Sequence, residues 1–287
     1  MGKVIFGCVT DQKQKFLDQA VRLVASLRWF GGSVADAPFI VCAVGGMPDA
    51  YYQCLSKLGA DIRVVERFEG DHAGPSNKLR FLEVVPWADY QSIILIDCDT
   101  IIVQDPSAYL PTQGFSAKLA DLPTVNISQF RELFSKFGMP MPTSNVQPGV
   151  PGAPAFPYFN SGVCIIANDV FTTLRDSWIK WNRRLILISS QQGFDLHVMD
   201  QASLTMALVE NNIFTTLLPL EMNLPVHFAA ARYPLHFYTL DPVIIHYHSL
   251  AIDGGGIAKL PLKGARRRVQ MFNERLAAEK LLPVESL

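Results

Sequence analysis

The sequence predicts an α/β fold: a mixed, mostly parallel sheet flanked by helices. Three observations point there. Short apolar runs alternate with helical patterns along the first third of the chain. Those runs are continuously apolar, as strands buried on both faces of a parallel sheet must be. Finally, 49% of the 287 residues are hydrophobic and 18% are charged, which supplies a large core and argues against disorder.

The elements follow in order. Val4–Val9 is a β-rich run that stops at Thr10-Asp11. Phe16, Leu17, Ala20, Val21, Val24 and Leu27 then form one helical stripe, ended by Gly31-Gly32. "FIVCAV" (39–44) reads as a strand, Pro48–Leu58 as a helix and "DIRVVERF" (61–68) as a strand. Asn77–Val85 reads as a helix before Pro86, and "SIILID" as the next strand. In the second half, "FSAKLAD" (115–121) and "YFNSGVCIIAN" (158–168) read as strands. Between them, 122–157 is an irregular insertion with six prolines from Pro140 to Pro157. Asn168 is placed to cap the helix "DVFTTLRDSWIKWNRRL". A second helix starts near His197 and carries "MDQASL". "TTLLPL" and "PVIIHYHS" (242–249) are late strands. With no repeat and no linker, 1–287 reads as one domain: a first half 1–105, a second half 106–250, and a basic tail 251–287 with Arg266, Arg267 and Arg268.

Composition excludes several classes. A formal net charge of −1 gives no field for nucleic acid. The five cysteines are odd in number and contain no CxxC, so they read as free thiols in a reducing compartment. The opening "MGKVIFGCVTD" lacks a signal-peptide layout, and no apolar run approaches the ~20 residues of a spanning helix. The expectation is a soluble, cytoplasmic protein. Membrane-surface contact through the basic tail stays open, as does the oligomeric state.

The chemistry concentrates in "IILIDCDTIIV" (93–103). A buried, unpaired carboxylate costs several kcal/mol, so Asp97 and Asp99 need a cation or an open cleft. In open α/β sheets, ligands bind beyond the carboxyl ends of strands. Side chains alternate along a strand, so Asp97 and Asp99 share one side and Cys98 takes the other. Two carboxylates together suit Mg²⁺ or Mn²⁺, which usually completes its shell with phosphate oxygens. His246 and His248, closing another apolar strand, offer a third ligand.

These pieces resemble the GT-A-fold glycosyltransferases, most closely family 8, the glycogenin-like retaining enzymes. "IILIDCDTIIVQD" is similar to the family's DxD segment and "YFNSGVCIIAN" to its "FNSGV" strand. "VTD" (9–11), "NKLRFLEVV", "FSAKLAD", "MDQASL", "LPLEMN" and "VIIHYH" follow in the family's order, covering roughly 4–250. The resemblance implies a Rossmann-like nucleotide-sugar transferase whose first half, 1–105, binds the nucleotide. It implies transfer from a nucleoside-diphosphate sugar, UDP-hexose first, to a hydroxyl of a saccharide, lipid or protein, with retention. Mn²⁺, or Mg²⁺, would be held by Asp97, Asp99 and His246, with His248 in reserve. Thr10 and Asp11 would meet the base or ribose, and Asp97 the ribose and metal. Lys78 would approach the diphosphate or sugar. Asn160 and Ser161 would bond the sugar or acceptor, and Asp200 and Gln201 would act at the reacting sugar. The family's Lys-Pro-Trp segment is missing after His246, where "SLAIDGGGIAKL" stands, so Lys259 or the arginine cluster is expected to meet the diphosphate.

Two other enzyme classes fit less well. A sugar nucleotidyltransferase wants a Gly-rich basic loop after the first strand, and "VTDQKQKF" is not one. A haloacid-dehalogenase-type phosphatase wants Thr or Val where Ile101 stands. A non-catalytic sugar-binding relative is disfavoured by intact Asp97, Asp99 and His246.

Overall fold

The first strand is apolar throughout, and the sheet grows outward from it. The computed structural model describes residues 2–69, 74–121, 127–142, 157–192, 199–228, 233–252 and 255–284. In chain order its elements begin with β1 (Val4–Thr10), α1 (Gln14–Phe30), β2 (Phe39–Val44), α2 (Asp49–Lys57) and β3 (Ala60–Val65). Then come α3 (Arg80–Val84), β4 (Ser92–Ile96), β5 (Thr100–Ile102), β6 (Phe115–Leu119) and α4 (Ile127–Lys136). The second half has β7 (Phe159–Ala167), α5 (Asn168–Gln192), α6 (Met199–Glu210), β8 (Thr215–Leu217), β9 (Leu224–Pro225), β10 (Ile244–His246) and α7 (Lys263–Glu279).

Seven strands form the main sheet in the order β3-β2-β1-β4-β7-β6-β8. β7 alone runs against the other six. Side-chain alternation sorts the two faces. Ile5, Ile93 and Leu95 join one core with α5 and α6 residues, while Phe6, Cys8, Ile94 and Ile96 join another under α1. With both faces covered, the central strands are buried along most of their length, whereas edge strand β3 leaves Val64 69% exposed.

A smaller sheet has the order β5-β10-β9. β4 belongs to the main sheet and β5 to the small one, so residues 97–99 are the turn between sheets. The register of β10 against β5 sets His246 opposite Thr100. Tyr247 N–H also donates to Asp99 O at 3.0 Å.

Four expectations are corrected. The helix read over 77–85 is split into a 3₁₀ turn (Pro75–Leu79) and α3. The insertion 122–157 is not irregular throughout, because it contains α4, whose Phe130, Leu133 and Phe134 are buried; residues 143–156, with several of the prolines, lie outside the described residues. Asn168 does not cap α5 from outside. It is the first helical residue, and its side-chain amide donates to Trp87 O and Tyr90 O. The basic tail is largely a packed helix. Ala265, Val269, Phe272 and Leu276 of α7 bury against the small sheet. His197 lies outside the described residues, and the second helix is seen from Met199.

Helices α5 and α6 are clasped by one carboxylate. Glu210 accepts from Ser177 Oγ at 2.5 Å, Trp181 Nε1 at 2.9 Å and Lys180 Nζ at 2.5 Å. Burial alone would raise this carboxyl, but the bonds from Lys180, Ser177 and Trp181 outweigh it and hold it below its ordinary range. A depressed carboxyl stabilises the fold above its unfolded value of about 4, and loses that contribution as pH falls through the folded value. Glu210→Ala should therefore cost about 1–3 kcal/mol at pH 7 and less at pH 3, read from urea unfolding at both pH values. An equal cost at both would contradict the ionised clasp.

Candidate active site

The chain runs out from β1 to β2 and β3, then returns to place β4 beside β1. This reversal opens a crevice at the carboxyl ends of β1 and β4. A cavity of about 450 Å³ fills it. Thr10 lines it from the end of β1, Asp11 and Lys13 from the turn that follows, Phe16 and Gln19 from α1, Asn77 and Lys78 from the 3₁₀ turn, and Asp97, Cys98 and Asp99 from beyond β4. Arg67 lines it as well. Asp11 is tied into a turn by accepting Lys13 N–H at 2.9 Å.

One cluster neutralises Asp97. Lys78 Nζ lies 2.8 Å from Asp97 Oδ1, 3.0 Å from Asp200 Oδ2 and 2.9 Å from Ser161 Oγ. Ser161 Oγ donates to Asp200 Oδ2 at 2.5 Å. Lys78 is only 13% exposed, so it is no solvated helix-face lysine. Burial alone would lower its ammonium, but Asp200 and Asp97 hold it well above the ordinary range. Asp97 itself sits above its ordinary range, because burial and the Asp99 charge outweigh the pull of Lys78. Asp200 Oδ1, at the fully buried start of α6, has no hydrogen-bond partner among the described residues.

A second cluster gathers around Asp99. His246 Nε2 lies 3.1 Å from Asp99 Oδ1 and His248 Nδ1 3.7 Å from Asp99 Oδ2. One donor atom from each of Asp99, His246 and His248 lies within 4.8 Å of the others, which fits a divalent ion with open positions. The two imidazoles stack at 3.8 Å, and His227 packs edge-on against His248 at 3.9 Å. Burial works against ionised Asp99, but His246 and then His248 hold it well below the carboxylate range. Burial likewise works against His246, but Asp99 raises it. Burial and then the neighbouring His246 push His248 well below its ordinary range.

The sequence-predicted residues divide accordingly. Asp97, Lys78, Ser161 and Asp200 form one cluster, and Asp99 and His246 form the other. Asp97 lies outside the three-ligand group, and His248 takes the third place. Cys98 turns its thiol to Gln19 Oε1 at 3.4 Å. Asn160 Oδ1 faces inward, accepting from Gly162 N–H and Asn223 Nδ2. Gln201, beside Asp200, is half-buried. Lys259 is exposed and does not line the cavity. The arginine cluster is spent elsewhere: Arg266 donates to Leu260 O and Pro261 O, and Arg268 pairs with Asp241. Lys13 and Arg67 were not singled out from sequence, and Asn223 entered only as the last residue of "LPLEMN". Lys13 had a signal, lying three residues beyond Thr10 at the end of β1. Arg67 had none.

A sheet with this switch point, an acidic turn between two sheets and a Lys-linked buried aspartate defines a GT-A-type glycosyltransferase. The Rhodobacterales glycosyltransferase domain model matches residues 7–211, and the chain belongs to that family. Curated protein sequences yield no match to it. Among solved structures, the chain is similar to an active-site mutant of LgtC, at TM-score 0.61 and 14% identity, covering 98% of this chain and 97% of that one. The galactosyltransferase LgtC in complex with donor and acceptor sugar analogs gives TM-score 0.57 at 15% identity, covering 94% of this chain and 95% of that one. The glycosyltransferase GlyE of Streptococcus pneumoniae TIGR4 gives TM-score 0.56 at 15% identity, covering all of this chain but 66% of GlyE. Among the described residues, no helix is long and apolar enough to cross a membrane.

Replacing Lys78 tests the first cluster. Lys78→Met would leave Asp97 and Asp200 facing each other without a counter-charge. Urea unfolding at pH 7 should show a loss of about 3–5 kcal/mol. A loss under about 0.5 kcal/mol, the range of an ordinary surface change, would mean that the cluster does not hold the fold.

Proposed function

We propose that this glycosyltransferase moves a hexose from a UDP-sugar to an acceptor hydroxyl with retention, in the manner of the family 8 enzymes, and with a divalent metal. One observation carries the reading: the cavity between β1 and β4 ends at a ligand set suited to a divalent cation, Asp99, His246 and His248. When bound there, a divalent ion would neutralise negative charge on the departing nucleoside diphosphate.

The chain's own groups take the remaining work. Thr10 and Asp11 line the cavity and would meet the base or ribose. Lys78 holds Asp97 and Asp200 in place and supplies the cavity's inner positive charge. Asp200 Oδ1, a buried acceptor with no partner among the described residues, suits a sugar hydroxyl. Gln201 follows it in α6, Ser161 accepts from Lys78 and Asn160 accepts from Asn223. An inverting route would require a free carboxylate to take the acceptor's proton. Asp200 is fully buried and its Oδ2 is already held by Lys78 and Ser161, which favours retention, with the leaving phosphate taking the proton. The sugar and acceptor follow from the resemblance alone.

Thermal unfolding with divalent ions and a panel of nucleotides tests this. Mn²⁺ plus UDP at ~100 times its dissociation constant should add about 2.7 kcal/mol of stability. Because two of three ligands are imidazoles, Mn²⁺ or Co²⁺ should outcompete Mg²⁺. Asp99→Asn and His248→Ala should each weaken the effect. The proposal is lost if no nucleoside diphosphate binds with any divalent ion, or if Asp99→Asn binds like the parent.

A further inference from the structure

The strand "FNSG" and the turn "EMN" meet behind the metal-facing histidine. His246 Nδ1 lies 3.1 Å from Asn223 Oδ1. Asn223 Nδ2 donates to Asn160 Oδ1 at 2.9 Å, and the same oxygen accepts Gly162 N–H at 2.8 Å. Asn223 is 1% exposed and His246 is 4% exposed, so no bulk water can take over these bonds.

The direction of every bond in this chain follows from its last member. A backbone N–H can only donate, so the Asn160 atom facing Gly162 is its oxygen. That oxygen can only accept, so the Asn223 atom facing it is the amide nitrogen. The other Asn223 atom is then the oxygen, and it requires a hydrogen on His246 Nδ1. An imidazole with its hydrogen on Nδ1 offers its lone pair at Nε2, which points at Asp99.

The backbone adds a second constraint. A Cβ on Gly162 would lie 2.5 Å from His246 Cε1 and 2.8 Å from Asn160 Oδ1, so only glycine lets the ring settle there. β9 and β10 pair Pro225 with His246, which fixes Asn223 two residues away from that register point.

We infer that Asn223, oriented through Asn160 by the Gly162 N–H, is a positioning residue that locks His246 as an Nε2 metal ligand. The "FNSG" asparagine and glycine thus serve the metal site from behind rather than the sugar. This rests on the metal reading above. Second-layer partners of this kind usually change metal affinity by 10- to 100-fold.

The test measures Mn²⁺ binding by electron paramagnetic resonance, with folding checked by circular dichroism. Asn223→Ala removes the acceptor and should weaken Mn²⁺ binding by about 10- to 100-fold. Asn160→Asp keeps an acceptor for both donors and should bind Mn²⁺ close to the parent. If the parent binds Mn²⁺ and folded Asn223→Ala binds it equally well, the relay is wrong. If the parent binds no divalent ion, the metal reading and the relay fall together. A measurement on the parent needs no variant to fold: long-range ¹H–¹⁵N spectra with diamagnetic Zn²⁺ should show His246 coordinated at Nε2 and protonated at Nδ1. Coordination through Nδ1 would overturn the assignment.

Discussion

Two carboxylates placed between two sheets must be compensated, and the site is arranged around that need. β4 ends at Ile96 and β5 begins at Thr100, leaving Asp97 and Asp99 on the connecting turn. They receive different partners. Asp97 is met by an ammonium from the turn ahead of α3, and Asp99 by two imidazoles from the end of β10. The 3₁₀ turn ahead of α3 supplies the first compensation and the end of the small sheet's β10 the second. Each carboxylate thereby holds a distant piece of chain against β4, and the cavity is the space left between those pieces.

The reversed strand β7 serves both clusters. Asp97 N–H donates to Gly162 O at 2.9 Å, so the turn is anchored to this strand. Ser161 then bonds Lys78 and Asp200, Asn160 bonds Asn223, and Gly162 makes room for His246. Phe159 stays in the core. Four consecutive residues have four separate physical tasks, which explains why so polar a group sits within an otherwise apolar strand.

The sequence revealed the sheet and the cleft better than the ligand sets. Continuous apolar runs located the strands β1, β2, β4 and β7, and the switch between β1 and β4 followed from their order. Two carboxylates on one strand end suggested one shared ion, because strand alternation was extended past Ile96. The chain turns there, so alternation no longer governs Asp97 and Asp99. His248 looked like a reserve ligand for a similar reason: its φ of +52° marks a bend that brings its ring over His246 instead of along a strand. Helix α4 was hidden by the prolines that follow it. Lys259 was named as a substitute because no lysine stands at the family's spacing after His246, and the sequence carries no information about which way the loop leaves β10.

The charge inside the cleft also limits what can bind there. Asp97, Asp99 and Asp200 stand against one lysine, Lys78, so acidic side chains outnumber the ammonium on the inner wall. A nucleoside diphosphate would be repelled by such a wall. A divalent ion at Asp99 would offset that acidic excess, after which the exposed Lys13 and Arg67 at the rim could act on the phosphates. Metal and donor are therefore coupled: on the proposed reading the ion binds ahead of the nucleotide or with it, and a metal-free cleft has little affinity for a diphosphate even with its shape intact.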